Sequence, residues 1–421
     1  MEFLRTTIGQ VCVVGDGAHA SIARVRIGVS YLTSKNFNGN GIYLEQVDKI
    51  SESDYYKHFR EDSKAVTKPK EGDLIFSIIG SIGGAHLYTS NDKFGLSSSV
   101  AIIRPDSDKI SPLFLLYYLK SPYLQKWVLA IKSGSAQGFL SLDMIKSLPV
   151  ILPEKPLQDK IATILSAYDE LIENNNQRIK LLEAMAEEIY KDWFVRLRFA
   201  GYESTKLFDA DGKEVQHGTV GALPDGWEKG TLGDLVLFKK GRNITQDTVK
   251  EGNIPVVAGG LTPAYFHNTS NTSSPTITIS ASGANAGYVN IYYENVWASD
   301  CSFIDTKATP FIFFFYILLK NRQVEVFFLQ KGSAQPHVYP KDIMSLKMAK
   351  PLLKLIERFE DLVTPFFEEI KLLAEKNRLL QQTRDLLLPR LISGKLSVAH
   401  LSDEEDNLSI AAEPELAYGK K

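Results

Sequence analysis

The sequence predicts a mixed α/β chain in which two similar α/β blocks alternate with two long helices. Three observations predict this class. A short stretch occurs twice, as SGSAQ from Ser133 and as KGSAQ from Lys331. About forty residues with apolar side chains at helical spacing follow each occurrence. Strand-like segments separated by Gly, Ser and Asn turns precede each occurrence. A chain of 421 residues is also too long to fold around a single hydrophobic core, so several domains are expected.

The charge is distributed unevenly along the chain. The formal net charge is −2, yet residues 1–150 and residues 227–350 each carry a balance of +3. The acidic excess therefore lies on the helical segments and the C-terminal tail. A balance of +3 is weak evidence for contact with DNA, and composition alone favours an ordinary mixed-charge surface.

The cysteines and the apolar segments indicate the cellular compartment of the protein. Cys12 and Cys301 are far apart and form no metal-type spacing, which favours a reducing cytoplasm over a disulfide framework. The N-terminal residues resemble no secretion signal. The most apolar run, Pro310 to Leu319, is half the length that a membrane span needs. We therefore expect a cytoplasmic protein with no membrane partner.

The repeat extends beyond the GSAQ stretches. Matching residues follow one another in the same order in both copies, while the offset falls from 224 to 198 residues. The matched pairs are Phe3 with Trp227, Gly9 with Gly233, Ser77 with Ser280, Gly80 with Gly283, Gly84 with Gly287, Pro112 with Pro310, Ile145 with Ile343, and Pro153 with Pro351. Such an order predicts two copies of one scaffold with different contents.

This organisation gives six segments. The first block spans residues 1–150 and the second block spans residues 227–350. Long helices occupy 151–199 and 351–396, a linker occupies 200–226, and residues 397–421 form an acidic tail that is expected to be disordered.

The first long helix has a heptad seam, which is typical of a helix that packs along another helix. Pro156 suits its first turn. The predicted seam consists of Ile161, Leu165, Tyr168, Ile172, Asn175, Ile179, Leu182 and Ile189.

The second long helix has a similar seam with one irregular step, between Phe366 and Ile370. Pro365 is expected either to kink this helix or to start a new one after Thr364. The predicted seam consists of Leu362, Phe366, Ile370, Leu373, Asn377, Leu380 and Leu387.

Asn175 and Asn377 lie near the middle of the two predicted seams. In an antiparallel pair of helices they would lie nearly opposite each other, and a buried Asn can fix the register. The alternative is that each Asn lies on a solvated stretch of its helix.

The sequence contains no familiar catalytic or metal-binding pattern. It has no HExxH motif, no Cys/His cluster, no GxxxxGK[ST] phosphate loop and no GxSxG elbow. We therefore predict no catalytic residues and no metal site, and we interpret the blocks as binding modules.

Two sets of polar residues are candidates for DNA contact. In the second block, the segment FKKGRNITQ supplies three cations for phosphates, and Asn and Gln for base edges; its alternative is an ordinary surface loop. Around the GSAQ stretches, backbone amides beside a lysine suit a phosphate, and the glutamines suit a base or the bracing of a turn; the alternative is a joint that serves packing alone. The candidates are Lys239, Lys240, Arg242, Asn243 and Gln246, then Lys132, Gly134, Ser135 and Gln137, and finally Lys331, Gly332, Ser333 and Gln335.

The order of these features resembles the specificity subunit of type I restriction–modification systems. The similarity is carried by IATILSAYDELIENNNQRIKLLEAMAEEIYKDWFV, by LPDGWEKGTLGDL and by LLLPRLISGKL, together with the two GSAQ stretches. It extends to about Leu396, while the blocks match in layout only.

The resemblance implies two target-recognition domains, each reading one half of a bipartite, asymmetric site on double-stranded DNA. It further implies that the two helices form an antiparallel coiled coil that sets the spacing, and that the repeat gives internal pseudo-twofold symmetry. Two modification subunits and two restriction subunits are the implied partners. S-adenosylmethionine, ATP and Mg²⁺ are then expected on those partners and not on this chain.

Two other functions stay open on the sequence alone. One is a coiled-coil adaptor that binds only protein. The other is a restriction or methylation enzyme, for which the sequence lacks the motifs.

Overall fold

The computed structural model describes residues 3–38, 41–44, 47–60, 66–134, 138–332 and 335–398. Its contacts divide the chain into two units. Unit 1 comprises Met1–Glu173 and Asn377–Lys421, and unit 2 comprises Asn174–Lys376. Each unit therefore contains one block and a part of each long helix.

Unit 1 contains the first block and begins the first long helix. Its strands are β1 Leu4–Thr7, β2 Cys12–Asp16, β3 Val29–Leu32, β4 Phe37–Asn38, β5 Gly41–Ile42, β6 Asp48–Ile50, β7 Leu74–Ser77, β8 Ala85–Leu87, β9 Phe94–Leu96, β10 Val100–Pro105 and β11 Pro149–Leu152. Its helices are α1 Ile8–Val11, α2 Glu52–His58, α3 Pro112–Lys120, α4 Pro122–Gly134, α5 Leu142–Ser147 and α6 Lys155–Tyr190, the last of which continues into unit 2.

Unit 2 contains the second block. Its strands are β12 Leu207–Phe208, β13 Glu214–Val215, β14 Leu223–Pro224, β15 Glu228–Thr231, β16 Lys239–Lys240, β17 Ile254–Val257, β18 Tyr265–His267, β19 Thr276–Ser280, β20 Val289–Tyr292, β21 Trp297–Ala298, β22 Cys301–Asp305 and β23 Lys347–Lys350. Its helices are α7 Ile312–Asn321, α8 Gln323–Phe328, α9 Pro340–Met344 and α10 Leu353–Ile392, the last of which continues into unit 1.

The two blocks share one sheet topology, which confirms the internal repeat. A four-stranded antiparallel sheet has the order β2-β10-β7-β8 in the first block and β16-β22-β19-β20 in the second. A three-stranded sheet, with one parallel pair, has the order β6-β3-β9 or β18-β17-β21. The first and last strands of each block pair with each other, as β1-β11 and β15-β23.

The buried strands and helices explain why each block folds. Strand β7 is buried along its whole length, and α3 buries Phe114, Leu115 and Tyr118 against it in one core. Pro112 occupies the first turn of α3, where its missing N–H costs nothing. In the second block α7 plays the same part, and the apolar run from Pro310 to Leu319 lies in this buried helix from Ile312 onward. In the described part of the chain no helix combines the length and apolarity that crossing a membrane requires.

Residues 200–226, which the sequence predicts as a linker, include a small three-stranded sheet in unit 2. Strand β12 pairs with both β13 and β14. Phe199 stacks on Trp227, with ring centroids 6.1 Å apart and planes 18° apart. These contacts tie the segment to the start of the second block.

Within each unit, the helices α6 and α10 pack against each other. In unit 2, Arg178 donates to Glu369 over 2.8 Å, and the Tyr190 ring contacts the Phe359 ring at 6.0 Å. Along these two contacts the residue numbers rise in α6 and fall in α10, so the helices are antiparallel there. In unit 1, Asp169 pairs with Arg384.

Every residue of the predicted α6 seam is buried or half-buried. Ile161, Leu165, Ile172 and Asn175 are buried. Tyr168, Ile179, Leu182 and Ile189 are half-buried. A five-residue π-helical segment, Lys191–Val195, ends the helix.

The predicted seam of α10 is wrong at Leu362, which is 43% exposed, while Val363 is fully buried. The buried positions step by four residues from Leu355 through Phe359 and Val363 to Phe367, because this part of α10 also packs on the block. Phe367 stacks on Phe313 of α7 with centroids 4.3 Å apart. Beyond that point Ile370, Leu373 and Asn377 are buried as predicted, while Phe366, Leu380 and Leu387 are half-buried.

Pro365 does not start a new helix, since α10 is continuous from Leu353 to Ile392. Thr364, just before it, donates its hydroxyl to the carbonyl of Glu360 over 2.7 Å. Asn175 and Asn377 are 8% and 7% exposed, so neither lies on a solvated stretch. Their mutual pairing stays a prediction.

Glu360 is a buried carboxylate that joins α10 to the start of α7. It accepts hydrogen bonds from the amides of Phe313 and Phe314, at 2.9 and 2.8 Å. Those amides have no partner within the first turn of α7, and negative charge is favourable there. Burial nevertheless raises the pKa of Glu360 to about 7, although the two amide bonds oppose the shift.

We expect the stability of unit 2 to fall as the pH rises from about 4.5 to about 7. The folded state binds more protons than the unfolded chain across this window, because the folded pKa is the higher one. The contribution of Glu360 to the free energy of unfolding is fully present below its pKa in the unfolded chain. It is lost as the pH rises through its pKa in the folded state, and the loss is about 3 kcal/mol at most. Urea unfolding between pH 5 and 8 should therefore be less pH-dependent for Glu360→Gln than for the wild type. Equal pH dependence would contradict this role of Glu360.

Candidate nucleic-acid interface

In the second block, four loops meet at one end of the four-stranded sheet. We call residues 239–246, 281–288, 298–300 and 335–338 the second loop cluster; it includes the short strand β16, Lys239–Lys240, which leads into the first of these loops. Ala281 donates its amide to Asp300 over 3.2 Å and receives the amide of Val338 on its carbonyl at 3.0 Å. Arg242 donates its amide to the carbonyl of Ala298 over 2.9 Å. The strands thus bring together segments that lie far apart in the sequence.

The first block builds the same arrangement from residues 17–19, 78–84, 96–99 and 138–140, the first loop cluster. Ile78 donates its amide to Ser99 over 3.0 Å and receives the amide of Leu140 at 3.0 Å. Ala18 donates its amide to Leu96 over 2.8 Å. These bonds repeat those of the second cluster one for one.

The shared hydrogen bonds correct one of the sequence matches. Gly83 donates its amide to Ser77 over 3.0 Å, and Gly287 donates its amide to Ser280 over 2.8 Å. Both glycines have left-handed backbones, with φ of 99° and 88°. Gly83, and not Gly84, is therefore the equivalent of Gly287 in the first copy, because the turn in the first copy is one residue shorter.

The candidate segment FKKGRNITQ is held by its backbone and exposes its polar side chains. Gly241 donates its amide to the carbonyl of Cys301 over 2.8 Å, and the Arg242 carbonyl accepts from the Trp297 indole at 2.8 Å. The five candidates in this segment are all exposed: Lys239, Lys240, Arg242, Asn243 and Gln246. A fixed backbone with free cations and amides suits contact with phosphates and bases.

Gly241→Ala should disrupt the second loop cluster. A Cβ atom there would lie 2.1 Å from the carbonyl oxygen of Ser299, so the backbone of one of the two loops has to move. We expect about a tenfold or greater loss of DNA affinity, because the displaced loop carries the cations. Fluorescence anisotropy of labelled duplex DNA measures this loss.

The matched control is Gly260→Ala, whose Cβ would have its nearest neighbour at 3.5 Å. It should bind DNA as the wild type does. Equal affinity of both variants would contradict the importance of the close approach at Gly241.

The structure separates the candidates around the second GSAQ stretch. Lys331 donates its ammonium to Asp342 over 2.5 Å, and Asp342 is buried in α9. This ion pair supports the interpretation of Lys331 as part of a joint and weakens its interpretation as a phosphate ligand. Gly332 has a left-handed φ of 95°, and Gln335 is exposed.

Four of the candidates fall wholly or partly outside the described residues. Ser135, Gln137 and Ser333 lie outside the described residues, as does the side chain of Lys132. Gly134 is the last residue of helix α4.

A hydroxyl–carboxylate pair lies in the second cluster, and a cysteine lies beside it. The Ser282 hydroxyl bonds to the Asp300 carboxylate, and Cys301 beside them is buried. Burial raises the pKa of the Cys301 thiol to about 12, which makes it unreactive, and the same holds for Cys12. Among the described residues, no group of three His, Cys, Asp or Glu side chains is arranged to hold a metal ion.

Sequence reasoning missed residues that hold the clusters together through side-chain bonds to the backbone. Gln125 and Gln323 each donate to the carbonyl of the left-handed glycine of their turn, at 3.0 and 2.8 Å. Gly17 and Gly241 occupy the same place in the two copies. The glutamines are 198 residues apart and the glycines 224, which are offsets of the repeat. Extending the matched pairs at these offsets would have found all four.

The chain is similar to known proteins over most of its length. The profile of the type I restriction modification DNA specificity domain matches residues 16–184 and again 224–382. The type I restriction enzyme MjaIX specificity subunit of Methanocaldococcus jannaschii is 27% identical over 319 residues, covering 70% of this chain and 71% of that protein. The HindI specificity subunit of Haemophilus influenzae is 23% identical over 406 residues, covering 78% and 87%.

A solved structure shares the fold. The type I restriction–modification S subunit from M. genitalium superposes with a TM-score of 0.56 at 19% identity, covering 93% of this chain and 96% of that one. The two profile matches coincide with the two copies of the repeat.

Proposed function

The chain belongs to the family of type I restriction–modification DNA specificity subunits, and from this premise we propose that each loop cluster reads one half of a bipartite, asymmetric DNA site. One observation carries the proposal: the two clusters share their backbone hydrogen bonds but differ in the side chains at equivalent positions. Arg242 and Asn243 stand where the first cluster has Ala18 and His19. A common frame with different side chains suits two different half-sites.

Within the second cluster the polar residues divide the work. Lys239, Lys240 and Arg242 neutralise phosphates, which fixes position without reading sequence. Asn243 and Gln246 carry amides that can pair with base edges, adenine above all. The exposure of all five and the anchored backbone support this division.

The long helices hold the two blocks at a separation and provide docking surfaces for partner subunits. The buried seams of α6 and α10, and their antiparallel packing in unit 2, support their role as a spacer. This chain itself performs no catalysis in the proposal. Two modification subunits supply methylation with S-adenosylmethionine, and two restriction subunits supply ATP- and Mg²⁺-dependent translocation and cleavage.

Methylation mapping tests the proposal. The chain is co-expressed with its modification subunit in a host that lacks DNA methylation, and the genome is sequenced with detection of modified bases. We expect one motif of two short half-sites around a fixed unspecified gap. Exchange of residues 227–350 for the block of a relative should change one half-site only.

A complex that assembles but leaves the host genome unmethylated would overturn DNA reading. It would favour the adaptor, which binds protein alone. S-adenosylmethionine binding by the isolated chain would instead favour an enzyme. Calorimetry on the purified chain measures that binding.

A further inference from the structure

In the second cluster, glutamine side chains hold the turn that follows the central strand β19. Gln330 donates to the carbonyl of Ala286 over 2.7 Å, and Gln323 makes two further bonds. Gln323 is the first residue of α8. Its side-chain amide donates to the carbonyl of Gly287 over 2.8 Å, and its side-chain oxygen accepts from the amide of Val289 at 3.0 Å. The turn cannot shift against α8 without breaking both bonds.

In the first cluster the equivalent glutamine makes one bond to its turn and one to the end of α3. Gln125 of α4 donates to the carbonyl of Gly83 over 3.0 Å and to the carbonyl of Leu119 over 2.7 Å. A side chain on Gly83 would begin 2.5 Å from the Gln125 oxygen, and one on Gly287 would begin 3.0 Å from the carbonyl of Val326. In both copies the helix and the glycine thus fit closely.

The two turns that the glutamines hold carry different residues at their tips. The tip of the first turn exposes Ile79, at 42%, and Ser81. Ile79 bridges to Phe139, and Ser282 bridges to His337 in the same place of the second copy. An apolar side chain in one copy therefore stands where the other has a hydroxyl bonded to Asp300. The two copies share the backbone arrangement of the turn, but the side chains at its tip differ.

We propose that Gln125 and Gln323 are positioning residues for base discrimination, each acting on its own half-site through the turn that it holds. This inference rests on the proposed function. Hydrogen bonds discriminate bases only when the donor and acceptor keep their places to within a fraction of an ångström. A turn released from its glutamine samples several positions, so the wrong base is rejected less strongly, while phosphate contacts made by other segments persist.

Selection from a random duplex library with the full-length chain tests this role. Bound DNA is recovered and sequenced for the wild type, Gln125→Leu and Gln323→Leu. We expect each variant to lose about tenfold discrimination at positions of one half-site, in line with one or two lost hydrogen bonds. The other half-site should be unchanged, so each variant is the control for the other. Affinity for DNA without the site should stay within about twofold of the wild type.

The outcomes separate the inference from the function on which it rests. A wild-type chain that selects no motif removes the proposed function. A wild-type motif that both folded variants select with undiminished preference, or that both weaken equally in the two halves, overturns the positioning role. Thermal unfolding shows whether the variants fold. If leucine prevents folding, Gln125→Glu and Gln323→Glu decide, because they keep the size and polarity but lose the donor to the glycine carbonyl.

Discussion

Phe359→Ala should lower the free energy of unfolding of unit 2 by about 3–5 kcal/mol, the largest stability effect that we expect from one substitution. Phe359 is fully buried. Its ring contacts the rings of Tyr190, Trp193 and Phe194 from the first long helix, at 6.0, 5.9 and 5.2 Å, and the ring of Phe314 from α7 at 6.1 Å. Truncation therefore leaves a cavity where three elements meet, and it removes favourable edge-to-face contacts.

Urea unfolding monitored by tryptophan fluorescence measures this effect. Trp193, Trp227 and Trp297 lie in unit 2 and report on it. Leu362→Ala is the control, since Leu362 lies three residues further along the same helix but is 43% exposed. It should cost no more than about 1 kcal/mol. Similar losses for both variants would contradict the packing described for Phe359.

Removal of the three cations of the second cluster should have the largest effect on DNA binding. We expect the variant Lys239→Ala, Lys240→Ala, Arg242→Ala to lose about 100-fold in affinity at roughly 0.1 M salt. The slope of log affinity against log salt should shrink by about 3, because each phosphate contact contributes about 0.9. Anisotropy titrations over a range of salt concentrations give both quantities.

A charge-matched variant decides whether position or mere charge matters. Lys213, Lys229 and Lys371 are exposed, lie in the same unit and belong to neither the cluster nor its loops. Their replacement by alanine removes the same charge, yet it should change the slope little. If the two triple variants weaken binding equally, the second cluster is not where the phosphates bind.

The sequence determined the features that depend on local patterns. Periodic apolar residues predicted both long helices, because a helix brings every third or fourth side chain to one face. The repeated order of anchors such as Ser77 with Ser280 predicted two copies of one scaffold, and the sheets confirm it. The polar segment around Arg242 was found because its composition is local as well.

The tertiary structure alone decided which segments meet. Leu362 was wrongly placed in the seam because α10 packs on α7 as well as on α6, and the single-helix period does not encode the second contact. Lys331 was a candidate phosphate ligand until Asp342 proved to be its partner, eleven residues away. The roles of Gln125 and Gln323 were invisible for a related reason. Each forms side-chain hydrogen bonds to the backbone of a distant turn. Every residue has a backbone carbonyl, so the sequence does not show which carbonyl a glutamine will bind.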